Sequence, residues 1–179
     1  MTMRHDAGYV AAEIASFVRR LATEMGANQV ATVGALTLSP NLINVVADQA
    51  VMTVDLRNTD ETRLQEAERL LFAFVTRIAA CEGVTVKHRL LARFEPVDFN
   101  PHMVARVEQI ATDLGLPVKR LPSGAGHDAQ IMAAVCPACM IFVPSSKGIS
   151  HNVEEYTSPE DLIAGANVLL RLLFELAER

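Results

Sequence analysis

Residues 123–129, Ser-Gly-Ala-Gly-His-Asp-Ala, and residues 148–152, Gly-Ile-Ser-His-Asn, are the stretches around which the rest of the chain is interpreted. The small residues ahead of His127 let the backbone turn sharply and approach a ligand closely. Asp128 is placed to cap a helix over residues 129–135, whose first N–H groups would be open to an anion. The first stretch therefore predicts a ligand-binding turn between a strand and a helix.

The second stretch follows an apolar run. Residues 138–144 predict a buried strand, and His151 lies in the loop past its carboxyl end. Open α/β sheets hold ligands at that edge, so His127 and His151 together indicate part of a hydrolase site. Each histidine alone has a plainer interpretation as a structural hydrogen-bonding group. A Gly-Ala-Gly turn likewise often serves only to join a strand to a helix.

Composition limits the class of protein. Of the 179 residues 50% are hydrophobic and 21% are charged, which is typical of a globular chain. The net charge of -5, with dispersed basic residues, argues against a nucleic-acid surface. The sequence has neither a long apolar span nor a signal peptide, and it holds three cysteines. We therefore expect a cytoplasmic protein, because an odd number of cysteines without an export signal suits a reducing compartment.

Cys136 and Cys139 have the C-x-x-C spacing. A redox pair normally opens a helix, where the helix dipole lowers the thiol pKa, whereas this pair closes a helix and opens a strand. A structural zinc would need two more ligands of suitable spacing, and Cys81 stands apart. We therefore favour buried, apolar cysteines at a turn.

The first half of the chain predicts an α-β-β-α-β order. Apolar side chains at helical spacing indicate a helix over residues 9–25, and β-branched runs indicate strands. Asn58, with Glu61 three residues later, predicts the start of the second helix, and Gly83 predicts its end. On the strand ending at Arg57, the alternation puts Asp55 and Arg57 on a polar face, as in an antiparallel sheet with one buried side. The predicted strands are residues 30–38, 43–46, 50–57 and 84–94.

The second half predicts an α-β-α-β-α order. Asn100 and Ser158 each precede a proline and are placed to cap helices. On the last helix the residues expected to face inward are Leu162, Leu169, Leu173 and Phe174. A short strand is expected near Val118. The fold class is therefore α/β: an α+β sandwich with an antiparallel sheet over residues 1–95, followed by part of a layered α/β domain over residues 96–179.

The combined pattern Gly-Ala-Gly-His-Asp-Ala, then Gly-Ile-Ser-His-Asn, then Glu-Tyr-Thr, resembles the N-carbamoyl-L-amino-acid amidohydrolases. This family includes allantoate amidohydrolases and is related to two-metal aminoacylases and metallopeptidases. The resemblance implies hydrolysis of the carbamoyl or ureido C–N bond of an N-carbamoyl amino acid or allantoate. It also implies two divalent ions, zinc or manganese, with His151 as a metal ligand.

The same resemblance assigns substrate-binding residues. It implies that Asn44 and Arg57 hold the substrate from a lid, or dimerisation, domain, with the guanidinium taking a carboxylate. A bidentate fork suits that group. The plainer interpretation is that Arg57 pairs with Asp55 on a solvated sheet face. In the second domain the resemblance implies a substrate pocket formed by Gly124, Ala125, Gly126 and His127.

The resemblance extends over the whole chain but over less than half of the family's length. It implies most of a lid domain and the carboxyl-terminal part of a catalytic domain. The catalytic Glu and the other metal ligands would lie outside this sequence, so we expect the chain alone to be inactive and to bind metal weakly or not at all. We also expect a homodimer through the lid. Two alternatives stay open: a catalytically dead dimerisation or regulatory module, and an aminoacylase or peptidase relative acting on another amide.

Overall fold

A computed structural model describes residues 3–26 and 28–178. The chain divides into two compact units, Met1–Pro96 and Val97–Arg179. The predicted domains were residues 1–95 and 96–179, of which residues 1, 2, 27 and 179 lie outside the described residues. The assignment of these domains as a lid and as part of a catalytic domain stays a prediction.

The first unit contains two helices and a two-stranded antiparallel sheet. The predicted fold class is confirmed, since the described chain mixes helices with an antiparallel sheet. Strand β1 carries a bulge at Gly34, where the register with β2 shifts. The elements of this unit are α1 (Ala7–Met25), β1 (Val30–Ser39), β2 (Gln49–Arg57) and α2 (Glu61–Glu82).

The start of α2 differs from the prediction. Asp60, not Asn58, is the N-cap, and its carboxylate accepts a hydrogen bond from Arg63 N at 3.0 Å. The Asn58 side chain instead accepts a hydrogen bond from Asp60 N at 3.0 Å. This contact forms a turn immediately before the N-cap residue. The predicted end is correct, because Gly83 closes α2 in the left-handed conformation.

The core of the first unit lies between the two helices and one face of the sheet. Phe17 and Phe74 stack at its centre, with ring centroids 4.1 Å apart. The alternating apolar side chains of β2 pack against this core, as their spacing predicts, which leaves Asp55 and Arg57 on the other face. The buried members are Val10, Ile14, Val18, Leu71 and Phe74.

Two predicted strands of this unit are not formed. Residues 43–46 form a turn, and residues 84–94 have no assigned regular structure. Within the described part of the chain, β1 and β2 are the strands, and neither pairs with residues 84–94. That segment is attached to α2 through Arg93, which makes ion pairs with Glu61 at 2.5 Å and Glu68 at 3.0 Å. Hydrogen bonds from Arg93 lower the Glu61 pKa.

The second unit is built on two packed helices, and a 3-10 turn at Ser146–Gly148 lies within its long loop. Both predicted caps are confirmed: the Asn100 side chain accepts from Met103 N at 3.0 Å, and the Ser158 hydroxyl accepts from Asp161 N at 3.1 Å. The helices of this unit are α3 (Pro101–Asp113), α4 (Asp128–Met132) and α5 (Pro159–Ala177).

The predicted strands near Val118 and at residues 138–144 are not formed either. No residue of the second unit that the structure describes is in a strand. The apolar segment still packs, because Cys139 and Ile141 lie against the core between α3 and α5. A methyl group added at Gly165 of α5 would overlap Val143, so the helix and the segment are in close contact there.

The inward face of α5 is also different from the prediction. Leu162, Leu169, Leu173 and Phe174 were expected to face inward, but they are 53%, 47%, 54% and 61% exposed. The buried residues of α5 are Val168 and Leu172. A helix that is apolar on several faces has no unique inward stripe, and such helices are normally covered on more than one side. Among the described residues, no helix is both long enough and apolar enough to cross a membrane.

Candidate functional site

The turn before α4 holds His127 by its side chain. His127 is half-buried, and its Nε2 lies 3.0 Å from the hydroxyl oxygen of Ser123. Its ring also meets Phe142 edge-on, with centroids 5.8 Å apart. The imidazole is therefore held in a defined orientation from two directions.

The glycines of this turn are not required by the fold. Neither Gly124 nor Gly126 has φ in the left-handed region, and a Cβ added at either would meet nothing within 4 Å. No neighbouring atom crowds the Cβ position of either glycine, so a ligand could approach the turn closely at Gly126. Ala125, between them, is half-buried and donates its N–H to the Ser123 hydroxyl at 3.3 Å.

The predicted cap of α4 is wrong. His127 occupies the N-cap position without a capping hydrogen bond from its side chain, and Asp128 is the first residue of the helix. The helix is also shorter than expected and ends at Met132. Asp128 still places a carboxylate in the first turn, where the helix dipole favours a negative charge.

His151 lies on an exposed loop in the left-handed conformation, with φ of 57°. Its main-chain N donates to the Glu155 carboxylate at 2.9 Å. Glu155 N in turn donates to Asn152 O at 3.0 Å, and the loop is closed at its base by Ser146 N and Tyr156 O at 2.7 Å. The backbone of His151 is thus fixed while its side chain stays at the surface.

Asn44 and Arg57 lie in the first unit, on the loop between the strands and at the end of β2. Asn44 is exposed, and its side chain has no hydrogen bond within the described part of the chain. Arg57 forms a bidentate pair with Asp55: its Nε lies 2.9 Å and 3.0 Å from the two carboxylate oxygens, and a terminal nitrogen lies 2.5 Å from one. Hydrogen bonding to Asp55 raises the Arg57 pKa. The pairing offered by the plainer interpretation therefore exists, and the substrate role stays a prediction.

The cysteines only partly match their expected environment. Cys136 is exposed, so the expectation that both are buried is wrong, while Cys139 is half-buried and burial raises its pKa. α4 ends at Met132, and the chain continues through turns to Cys136. Cys81 is also exposed and all three are free thiols.

No complete metal site is formed by the described residues. Among residues 3–26 and 28–178, no group of three or more His, Cys, Asp or Glu side chains is placed to hold an ion. A catalytic zinc normally has three protein ligands. His151 alone therefore does not make a metal centre, and its role as a ligand stays a prediction.

Three contacts at the site were not predicted: those of the Ser123 hydroxyl, the Phe142 ring and the Glu155 carboxylate. The sequence shows that Ser123 is a small residue of the turn, but it does not show that its hydroxyl lies beside His127. Glu155 lies four residues after His151, and that spacing in a loop does not by itself indicate a contact. Phe142 was expected in a strand, where its partner could not be inferred.

Comparison with known proteins gives a consistent picture. Residues 7–175 match the peptidase family M20/M25/M40. The chain is 38% identical over 178 residues to an N-carbamoyl-L-amino-acid amidohydrolase of Rhizobium meliloti, covering 99% of this chain and 43% of that protein. It is 36% identical over 177 residues to an allantoate amidohydrolase of Escherichia coli, again covering 99% and 43%. The chain thus spans less than half the length of these relatives.

Two solved structures are similar to this chain. An amidase of the hydantoinase/carbamoylase family from Burkholderia multivorans superposes with a TM-score of 0.89 at 38% identity, covering 96% of this chain and 42% of that one. A dinuclear metal-binding peptidase of the M20 family from Bacillus subtilis shares the fold, with a TM-score of 0.70 at 18% identity, and covers 97% and 47%.

Proposed function

Because the chain belongs to the peptidase family M20/M25/M40, we propose that it forms part of a metal-dependent amidohydrolase. The reaction would be hydrolysis of the carbamoyl or ureido C–N bond of an N-carbamoyl amino acid or of allantoate. The two relatives have nearly the same sequence identity to this chain, 38% and 36%, so the proposal includes both substrate classes.

The observation that carries this proposal is the turn at residues 123–127. Gly124 and Gly126 have neither a backbone conformation nor a neighbour that demands glycine, and they lead directly to an oriented His127. A turn that a ligand can approach closely, beside a fixed imidazole, suits a small polar ligand, since the ring can form a hydrogen bond to it. A purely structural turn would not need both glycines.

Arg57 and Asn44 are proposed to bind the carboxylate of a substrate. A guanidinium recognises a carboxylate through two charge-assisted bonds, and an Asn side chain both donates and accepts. Arg57 is half-exposed on the open face of the sheet, where a small carboxylate can reach it. Its pairing with Asp55 would hold the guanidinium along the sheet.

Two divalent ions, zinc or manganese, belong to this proposal, with His151 as one ligand. The residues present do not fit a complete site, since the described chain offers no group of three ligands. The proposal therefore includes further polypeptide that supplies the other ligands and the catalytic Glu. Without it, the chain is expected to be inactive.

The second unit has an apolar surface that further polypeptide would cover. A groove of about 440 Å³ runs along α5 and is lined almost entirely by apolar side chains, among them Ile141, Leu169 and Leu173. Exposed apolar patches of this kind normally mark a surface that is covered by other protein. In an enzyme of this family the groove would be covered by the rest of the fold.

A chimera tests the activity. This chain should replace the matching 178 residues of the Rhizobium meliloti N-carbamoyl-L-amino-acid amidohydrolase. We expect the chimera to release the free amino acid from N-carbamoyl-L-alanine or to degrade allantoate, and the same enzyme lacking the exchanged residues to do neither. A folded chimera that hydrolyses neither compound would contradict the proposal. Turnover of acetylated amino acids or dipeptides only would favour the aminoacylase or peptidase alternative.

We also propose a cytoplasmic homodimer formed through the sheet of the first unit. In the described residues β1 and β2 pair only with each other, so each leaves one edge unpaired. Unpaired edges bind further strands. The same observation favours the second candidate function, a catalytically dead dimerisation or regulatory module.

Light scattering across micromolar concentrations checks the dimer. We expect a dimer in the parent chain and at least tenfold weaker association in either Thr37→Lys on β1 or Val51→Lys on β2, because Lys on an edge strand opposes edge pairing. Leu170→Lys, on α5, is the matched control, since Leu170 is 52% exposed and Val51 is 60% exposed. A monomeric parent chain would refute the dimer, and loss of association in Leu170→Lys alone would place the contact on α5.

A further inference from the structure

Gln29 is buried beside the end of β2, although its side chain is polar. Among the residues that the structure describes it is the only buried polar one, with 7% of its surface exposed. Its Nε2 donates to the carbonyl oxygen of Val30 at 3.0 Å and to that of Arg57 at 3.2 Å. Its Oε1 accepts from Nδ2 of Asn58 at 2.9 Å. The buried amide is therefore hydrogen-bonded at both ends.

The orientation of this amide follows from main-chain groups whose roles are fixed. Oδ1 of Asn58 accepts from the Asp60 N–H at 3.0 Å, and a main-chain N–H can only donate. The NH₂ group of Asn58 therefore lies at the other end of its amide and donates to Gln29. Two carbonyl oxygens, which can only accept, face the opposite end of the Gln29 amide. Exchanging N and O in either side chain would set donor against donor or acceptor against acceptor.

This network joins the last residue pair of the sheet to the start of α2. Val30 and Arg57 form the terminal pair of the β1–β2 ladder, and the ends of a ladder open most easily. Gln29 bonds to the main chain of both residues and, through Asn58, is linked to Asp60, the N-cap of α2. A polar network that is bonded throughout and shielded from water is rigid. It therefore holds the end of β2 closed.

Arg57 is thus held at two points. Its carbonyl oxygen accepts from Gln29, and its guanidinium is paired with Asp55, two residues earlier on the same strand. A guanidinium recognises a carboxylate through a fork of defined direction, so binding is strongest when the fork is already in place. A buried side chain that fixes the main chain of Arg57 contributes to that placement.

We propose that Gln29 is a positioning residue that holds the end of β2 in place and so presents the guanidinium of Arg57 to the carboxylate of a substrate. The role of Arg57 as a carboxylate ligand rests on the proposed function. The hold on the strand end does not rest on it. The two parts are therefore tested by different measurements.

Gln29→Met in the chimera tests the positioning role. Methionine has a similar length and suits a buried site, but it cannot replace the three hydrogen bonds. If Arg57 is then correctly placed in about a fifth of the molecules, KM for N-carbamoyl-L-alanine rises about fivefold. KM for the neutral carboxamide, N-carbamoyl-L-alaninamide, should change less than about twofold, because that compound has no carboxylate. A general loss of stability would affect the two compounds alike.

Asn28→Ala is the matched control. Asn28 is an exposed neighbour whose Nδ2 donates to Thr59 Oγ1 at 2.9 Å, so it also bridges to the segment after β2, but its bond is not to Arg57. Its replacement should change neither KM. Asn58→Ala removes the donor to Oε1 of Gln29 and leaves both carbonyl bonds, so the ratio of the two KM values should rise about twofold. An unchanged ratio in a folded Gln29→Met chimera, or in Asn58→Ala if the first variant does not fold, would overturn the proposal.

Amide hydrogen exchange in the 179-residue chain is the measurement that needs no substrate. Gln29→Met should speed exchange about fivefold in the two terminal pairs, residues 30–31 and 56–57, relative to residues 36–38 and 50–52 at the opposite end of the ladder. Asn28→Ala should not. Unchanged exchange in a folded Gln29→Met chain would overturn the proposal whatever the kinetics show. If the strand end opens as expected but the parent chimera does not prefer the carboxylate to the carboxamide, the proposed role of Arg57 fails and the hold on the strand end stands.

Discussion

Replacing Arg57 by lysine in the active chimera is expected to raise KM for a carboxylate substrate about tenfold, with kcat within about twofold. Arg57 would lose one of two charge-assisted hydrogen bonds to the carboxylate, and a bond of that kind contributes about 1.5–3 kcal/mol. Initial rates over a range of N-carbamoyl-L-alanine concentrations measure both constants. Because the interaction is with a part of the substrate that does not react, its loss affects KM more than kcat.

Arg69→Lys is the matched control for this change. Arg69 forms a comparable bidentate pair with Glu66 on α2, with both distances at 2.7 Å, and it has no proposed substrate role. Its replacement should leave KM unchanged. If Arg57 serves only to pair with Asp55, then Asp55→Asn and Arg57→Lys should have the same small effect on the free energy of unfolding and none on KM. That outcome would remove Arg57 from the substrate site.

The helices of the chain could be predicted because their signals are local. Asn100 and Ser158 cap their helices where the sequence places them, and Gly26 and Gly83 end theirs. A capping side chain bonds to an N–H two or three residues away, so a short stretch contains both partners. Two caps are shifted by one or two residues, to Asp60 for α2 and to His127 for α4, and in both cases a neighbouring residue could also serve.

Strands could not be predicted with the same success, because a strand exists only with a partner. The apolar segment at residues 138–144 has the composition of a buried strand, and Ile141 does pack inward. No other described segment of the second unit pairs with it. Residues 84–94 fail for the same reason, although Arg93 holds them against α2. Composition therefore predicted the inward packing of residues 138–144 but not their hydrogen bonding, and it predicted neither for residues 84–94, most of which are exposed.

The candidate site shows the same division between local and distant information. The sequence singles out His127, but it cannot show that the Ser123 hydroxyl reaches Nε2, since this depends on the path of the turn. It predicts that Arg57 is on a polar face, which the register of β2 supports, yet it left open whether Asp55 would be bound to it. Arg57 and Asp55 lie two residues apart on the same face of β2, and their side chains are paired in the structure.

His151→Ala is expected to remove both bound metal and activity from the chimera, lowering kcat/KM by about 10³-fold. A catalytic ion contributes several kcal/mol to the transition state, and a three-ligand site that loses one ligand holds the ion poorly. His151 is presented at the surface on a loop whose backbone is fixed by Glu155. Metal content by mass spectrometry, measured beside the rate, links the two losses to one cause.

The 179-residue chain by itself should contain almost no zinc or manganese and should not hydrolyse N-carbamoyl-L-alanine when either is added. The described residues offer no group of three ligands, and one imidazole cannot offset the desolvation of a divalent ion. His102→Ala is the matched control in the chimera, since His102 is an exposed histidine of the same unit on α3, and it should retain metal and rate. Stoichiometric metal together with turnover in the short chain would contradict the hypothesis, because the ions would then be held by residues of this chain to which no ligand role has been assigned.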